Sequence, residues 1–249
     1  MRKEKLEELE SYMEKFKTLR ATELKSKGID DDKSFLKVKR WSFELNNDKT
    51  IEREEIVKGS QSGSAVVVLP ITSEGNVILT VQPRTFTEKG VLLELPAGYI
   101  DEGESPKDAA ARELSEETGY SFKKIDEMQS YYQDQGCSRA KNHAFLALGC
   151  EKVSEQNLDK DEYIEYFECT YDEMLELASE GYICDANSLV TIFSSHEKIK
   201  EIFLFAWNHI ADERSSEKEI EDAEKEALRI FCEYGDAMFM FDDGIDSEL

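Results

Sequence analysis

The run ARELSEET places Glu113, Glu116 and Glu117 at positions i, i+3 and i+4. At about 100° per residue, Glu116 lies about 60° to one side of Glu113 and Glu117 about 40° to the other, so a helix here presents three carboxylates on one face. Like charges at these spacings repel and destabilise an isolated helix. Close to a helix C-terminus the negative end of the macrodipole adds to that cost. A charge run is ordinarily a solvated face; the competing reading is a divalent cation that offsets the repulsion. Ligands that are all oxygen point to Mg²⁺ or Mn²⁺ rather than zinc.

The helix that must carry these groups is marked at both ends. Ser105 stands at the N-cap position, Pro106 at the first helical position and Asp108 where a capping-box acid belongs. Gly119 can end the helix in the left-handed conformation. Ala109, Ala110, Ala111 and Leu114 supply an apolar side opposite the carboxylates.

Around this helix the sequence predicts strands and further helices. Residues 1–27 read as an amphipathic helix with Leu6, Leu9, Met13 and Phe16 at helical spacing, inside an N-terminal segment 1–33. Residues 34–60 read as a β-hairpin, with FLKVKRWSFEL going out and TIEREEIV returning. SAVVVLPI and VILTVQPR form a second, apolar hairpin, and VLLELPAGYI a strand ending at Pro96. Strands are predicted around SYYQDQ, NHAFLAL and DEYIEYFEC. Thr170 and Glu173 offer a capping box for a helix that stops near Gly181. A helix over 187–211 and another in EKEIEDAEKEALRIF follow, then the acidic tail DDGIDSEL. The fold class is α/β (α+β): a mixed sheet with helices, and a helical C-terminal extension over 197–249.

Composition narrows the partners. The 249 residues carry a formal charge of −24, which excludes general nucleic-acid binding, since that depends on neutralising phosphates with Lys and Arg. A small anionic ligand remains compatible where a metal ion masks its charge. No apolar run reaches the length of a membrane span. The N-terminal stretch lacks the apolar region of a secretory signal, so a cytoplasmic protein without a membrane partner is expected. The five cysteines form no CxxC pair, which predicts reduced, mostly buried thiols rather than a disulfide framework or a zinc site. His143, His196 and His209 belong to no nucleophilic motif and read as structural or surface residues.

The stretch GYIDEGESPKDAAARELSEETGY, from Gly98 to Tyr120, resembles the Nudix box at its fixed positions: Gly98, Glu104, Arg112, Glu113, Glu116, Glu117 and Gly119. Tyr120 departs from the aliphatic residue usual there. The resemblance implies a Nudix fold over 61–196, with the mixed sheet sandwiched by helices. It also implies an Mg²⁺-dependent hydrolase, with Mn²⁺ as a possible substitute. Carried over, Glu113 and Glu117 are the main metal ligands, joined by the carbonyl of Ala97. Glu116 binds metal or orients the water, and Arg112 and Glu104 form a structural ion pair.

From about residue 37 to 195 the chain is most similar to the ADP-ribose and nucleoside-diphosphate-sugar pyrophosphatases, through ELPAG before the box and Arg84 in VQPR. This likeness implies cleavage of a nucleoside diphosphate linked to another group, first of all ADP-ribose to AMP and ribose 5-phosphate. Arg84 would clamp a phosphate. Trp41 would stack the adenine, an ordinary sheet-packing tryptophan being the alternative. Glu162 would be the loop acid of catalysis, with Asp161 and Glu165 as neighbouring registers. The likeness further implies a homodimer built on the hairpin 34–60, with active sites shared between subunits. The segment YYQDQG lacks the proline of many ADP-ribose enzymes, which brings other sugar nucleotides and dinucleotides forward as substrates. A module that binds a nucleotide without turning it over is the remaining alternative.

Overall fold

The structure, a computed structural model, describes residues 3–17, 35–45, 49–58, 63–209 and 216–234. Helix α1 (Lys3–Phe16) opens the chain and is followed by a hairpin of β1 (Leu36–Glu44) and β2 (Thr50–Lys58). Then come β3 (Ala65–Thr72), β4 (Asn76–Pro83), β5 (Val91–Glu94), β6 (Ala97–Tyr99) and helix α2 (Pro106–Thr118). The strands β7 (Tyr120–Ser121), β8 (Lys124–Tyr132), β9 (Lys141–Lys152) and β10 (Glu165–Thr170) precede helices α3 (Tyr171–Ser179), α4 (Ala186–His209) and α5 (Glu217–Tyr234).

The main sheet runs β10-β4-β3-β9-β7, with β5 on β4, β6 on β3 and β8 on β9. β3 and β9 are parallel and every other pair is antiparallel, so the sheet is mixed. A fork in it creates the site. β3 and β4 pair at Ile71 and Val77 and then separate. Thr80 faces Tyr166 of β10 on one edge of β4 and Glu94 of β5 on the other. Val66 likewise lies between His143 of β9 and Gly98 of β6. β5 and β6 therefore fill the gap between the diverging strands, joined by Leu95 and Pro96. The apolar run VLLELPAGYI is thus two strands and not one, because proline offers no N–H to continue a ladder.

Alternation along the strands sends side chains to two helical layers. Val67, Leu69, Ile71, Val77, Leu79 and Val81 pack with residues of α1, α3, α4 and α5. Val66, Val68 and Ile78 pack with Ala109, Ala110 and Leu114 of α2. The sheet is sandwiched by helices, as predicted. Leu9 of α1 is fully buried, and emptying such a site costs about 2–5 kcal/mol; α1 and α5 belong to the same core as the sheet. α1 ends at Phe16; the rest of the stretch read as helix to residue 27 falls within residues 18–34, which lie outside the described ones, as does the acidic tail.

Two further expectations are revised. Of the five free cysteines, Cys150 and Cys169 are buried, Cys137 and Cys232 half-buried and Cys184 exposed. Asp108 completes only part of a capping box: its backbone N–H donates to Ser105 Oγ, while its carboxylate takes the Ser105 hydroxyl rather than the Ser105 backbone N–H. Thr170 and Glu173 do form the full box at α3. Among the described residues no helix is long and apolar enough to cross a membrane.

Candidate active site

A cleft of about 420 Å³ opens where the sheet forks. Glu113 and Glu117 from α2, Ala97 and Gly98 from β6, Gln82 and Arg84 at the end of β4, and Asp159 and Glu162 from the β9–β10 connection line it. Asn142, Gln133 and Asn187 close another side. The structure thus gathers Ala97, Glu113, Glu117, Arg84 and Glu162 in one place.

The glutamates are held individually. Glu117 is 3% exposed and Glu113 8%. The Ala97 N–H donates to Glu117 Oε2 over 3.1 Å. Arg112 Nη1 donates to Glu113 at 2.7 Å and to Glu116 at 3.0 Å, while its Nε and Nη2 hold Glu104 at 2.9 Å. The expected Arg112–Glu104 pair is present, and Arg112 additionally bridges two of the three acidic residues. Lys152 Nζ, Gln156 Nε2 and the Asn157 N–H occupy the carbonyls of Thr118, Glu117 and Glu116. Part of the repulsion on the acidic face and at the helix end is therefore offset by the protein itself.

The offset is incomplete. Burial pushes the Glu113 carboxyl up to about 7, against the pull of Arg112 and with added repulsion from Glu116 and Glu162. Burial and repulsion from Glu113 drive Glu117 well above the ordinary carboxylate range. Among the described residues no three carboxylates converge as a finished ligand cage. The all-oxygen donor set and the unrelieved charge nonetheless fit a hard divalent cation.

Across the cleft, Glu94 takes Arg84 Nε at 2.9 Å and Nη2 at 2.6 Å, leaving Nη1 for a ligand. Burial opposes the charge on Arg84, but Glu94 more than restores it. Burial raises Glu94 despite Arg84. Trp41 is not in this cleft. It lines a separate cavity of about 330 Å³ with Phe43 and residues 135–139. Its Nε1 donates to Glu55 at 2.5 Å, and the Arg139 guanidinium lies 4.9 Å from its ring centre. Of the histidines, His143 pairs with Glu127 and His196 with Tyr171.

A family model described as the NUDIX domain matches residues 61–192. The chain belongs to the Nudix family. It is 38% identical over 150 residues to an ADP-ribose pyrophosphatase of Bacillus subtilis (strain 168), covering 60% of this chain and 78% of that one. Identity is 33% over 150 residues, with the same coverage, to a methanol dehydrogenase activator of Bacillus methanolicus. It is 27% over 168 residues, covering 64% and 84%, to a GDP-mannose pyrophosphatase of Yersinia pestis (strain Pestoides F). A crystal structure of an ADP compounds hydrolase superposes with a TM-score of 0.58 at 21% identity, covering 75% of this chain and 95% of that one, which shows the fold. The chain is a Nudix hydrolase similar to ADP-ribose and GDP-mannose pyrophosphatases, and Nudix hydrolases use divalent metal ions.

Geometry accounts for the box residues of this Nudix chain. Gly98 leaves the Glu113 carboxylate its place, since a Cβ there would overlap it and displace that side chain. Gly119 has φ 74° and caps α2 through its N–H to the Ser115 carbonyl. The unusual Tyr120 is housed by an edge contact with Tyr166 at 5.8 Å and a hydrogen bond of 2.5 Å to Glu168. Gln82, Asn142 and Asn187 also line the cleft and belong to no motif of the sequence. For Gln82 the signal was available: it lies two residues before Arg84 and so shares its strand face.

Proposed function

We propose that this chain hydrolyses the diphosphate of ADP-ribose to AMP and ribose 5-phosphate, with Mg²⁺ as the metal. The observation that carries the reading is the placement of the buried Glu113 and Glu117 opposite Arg84 in one cleft. Glu113, Glu116, Glu117 and the Ala97 carbonyl would hold the metal. Bound there, a divalent ion neutralises the diphosphate and lowers the pKa of a water. Arg84 Nη1 donates to a phosphate oxygen, a charge-assisted contact. Glu162 sits close enough to Glu113 and Glu117 to repel both, and takes the proton of the attacking water. The same layout serves a nucleoside-diphosphate sugar, the second reading, because Gln133 stands in the cleft at the segment that lacks the family's proline.

We also place the protein in the cytoplasm, in line with its five free thiols, and propose a homodimer through the hairpin 34–60. Phe35, Leu36, Val38, Trp41, Phe43 and Leu45 on and beside that hairpin are exposed, and a two-stranded ribbon is marginal without cover. In the dimer, Trp41 would reach the partner's cleft and stack the base. The test is a panel of ADP-ribose, GDP-mannose, UDP-glucose and NADH with Mg²⁺ and then Mn²⁺. ADP-ribose should have the highest kcat/KM, and a flat zero across the panel would overturn the reading. Mixing Trp41→Ala, which should bind substrate weakly, with inactive Glu117→Gln protein should restore a wild-type KM if sites are shared; no restoration, or a monomer by light scattering, removes the shared dimer site.

A further inference from the structure

Gln82, Asn142 and Asn187 are amides that line the cleft, and none of the three has a part in the proposed hydrolysis. Gln82 Nε2 is buried and has no hydrogen-bond partner among the described residues. Leaving a buried donor unpaired costs free energy, so an orphan at the wall of a cleft is a position waiting for an acceptor. Asn187, at the start of α4, is oriented. Its Oδ1 accepts from Tyr131 Oη and from Asn142 Nδ2, both at 3.0 Å, and Asn142 is 2% exposed. With the oxygen doubly engaged, the Asn187 Nδ2 is the end left for a ligand.

We infer that Gln82 and Asn187 form a donor pair that selects the hydroxyl-bearing sugar attached to the far side of the diphosphate. The inference rests on the hydrolase reading above and adds the residues that set its substrate. The diphosphate is already served by Arg84 and the metal-binding face, which are charged. The amides are neutral, and a site built to hydrogen-bond a hydroxyl discriminates against a ligand that lacks it, because the buried donors are then left unpaired. Asn142 and Tyr131 hold Asn187 and act as positioning residues. The two donors carry no charge of their own, which is also why a sugar suits them better than a further phosphate, which would draw on Lys or Arg.

The test compares ADP-ribose, which carries the sugar, with ADP, which lacks it. In Gln82→Leu and Asn187→Ser proteins, KM for ADP-ribose should rise about five- to tenfold, the loss of one or two neutral hydrogen bonds. The change in kcat should be smaller than the change in KM, and the inhibition constant of ADP should stay at the wild-type value. Asn187→Ser removes the amide donor, keeps a neutral oxygen acceptor and adds no charge that would repel ADP, so it remains informative if Gln82→Leu is unstable. An unchanged KM in both variants, or an ADP inhibition constant that rises in parallel, overturns the sugar subsite while leaving the hydrolase intact. A wild-type protein that turns over neither ADP-ribose nor GDP-mannose overturns the hydrolase reading, and the subsite with it.

Discussion

The backbone N–H of Ala97 donates to the Glu117 carboxylate over 3.1 Å, tying strand β6 to helix α2 at the floor of the cleft. This bond pulls the Glu117 carboxyl down, yet burial and the neighbouring Glu113 keep it well above the usual range. Glu117→Gln keeps an acceptor for Ala97 and deletes the repelled charge. It should cut kcat about a hundredfold or more by removing a metal ligand. At neutral pH and without metal it should melt higher than wild type, at about 2–4 °C per kcal/mol relieved. Metal-dependent activity at the wild-type level, with unchanged melting, would show that Glu117 is not a ligand.

Gly98 touches the same face from the other side. A methyl group there would collide with the Glu113 carboxylate, and an ångström of misplacement in a catalytic group costs about 100-fold. Gly98→Ala should therefore fold, by circular dichroism, and lose about that factor in kcat/KM. Full activity would place Glu113 outside the catalytic set.

The raised Glu113 carboxyl, at about 7, makes metal binding pH-dependent, since metal must displace the proton. Apparent Mg²⁺ affinity should fall about tenfold per pH unit for each proton displaced below pH 7 and level off above it. The folded protein binds a proton here that the unfolded chain releases at lower pH. The stability linked to it is present in acid and lost as pH rises through about 7. Metal titrations at pH 6, 7 and 8 check the first statement, and metal-free melting curves at the same values check the second.

Arg84 and Glu94 form a lopsided pair, with side chains 43% and 8% exposed. Removing Arg84 leaves Glu94 buried without its counter-charge. Because Arg84 is partly solvated, Arg84→Leu should destabilise by about 1–3 kcal/mol, less than a fully buried pair would lose. Adding Glu94→Gln should recover much of that stability and none of the activity. Recovery of kcat/KM in the double variant would remove Arg84 from substrate binding.

How much was legible in the sequence follows from which signals are local. Ser105, Pro106 and Gly119 delimit α2 within the chain, and the spacing of Glu113, Glu116 and Glu117 fixes their common face, so the helix and its acidic face could be read directly. The fork between β3 and β4 could not, because it depends on pairing across the sheet: Pro96 hints at a break but not at the two strands that fill the gap. Arg112 was expected to hold Glu104, and it does. Its second grip, on Glu113 and Glu116, depends on side-chain reach that no spacing rule reports. Trp41 stands out in KRWSFEL, but its contact with Arg139 joins elements nearly a hundred residues apart. Asn187 shows no pattern at all until Tyr131 and Asn142 are brought to it.

The central claim is tested most directly by following ADP-ribose with purified protein and Mg²⁺, separating the products, and repeating the assay with EDTA. AMP and ribose 5-phosphate should appear in equal amounts, with turnover abolished by the chelator and restored by added Mg²⁺. Turnover that survives EDTA, or none with either Mg²⁺ or Mn²⁺, would contradict it.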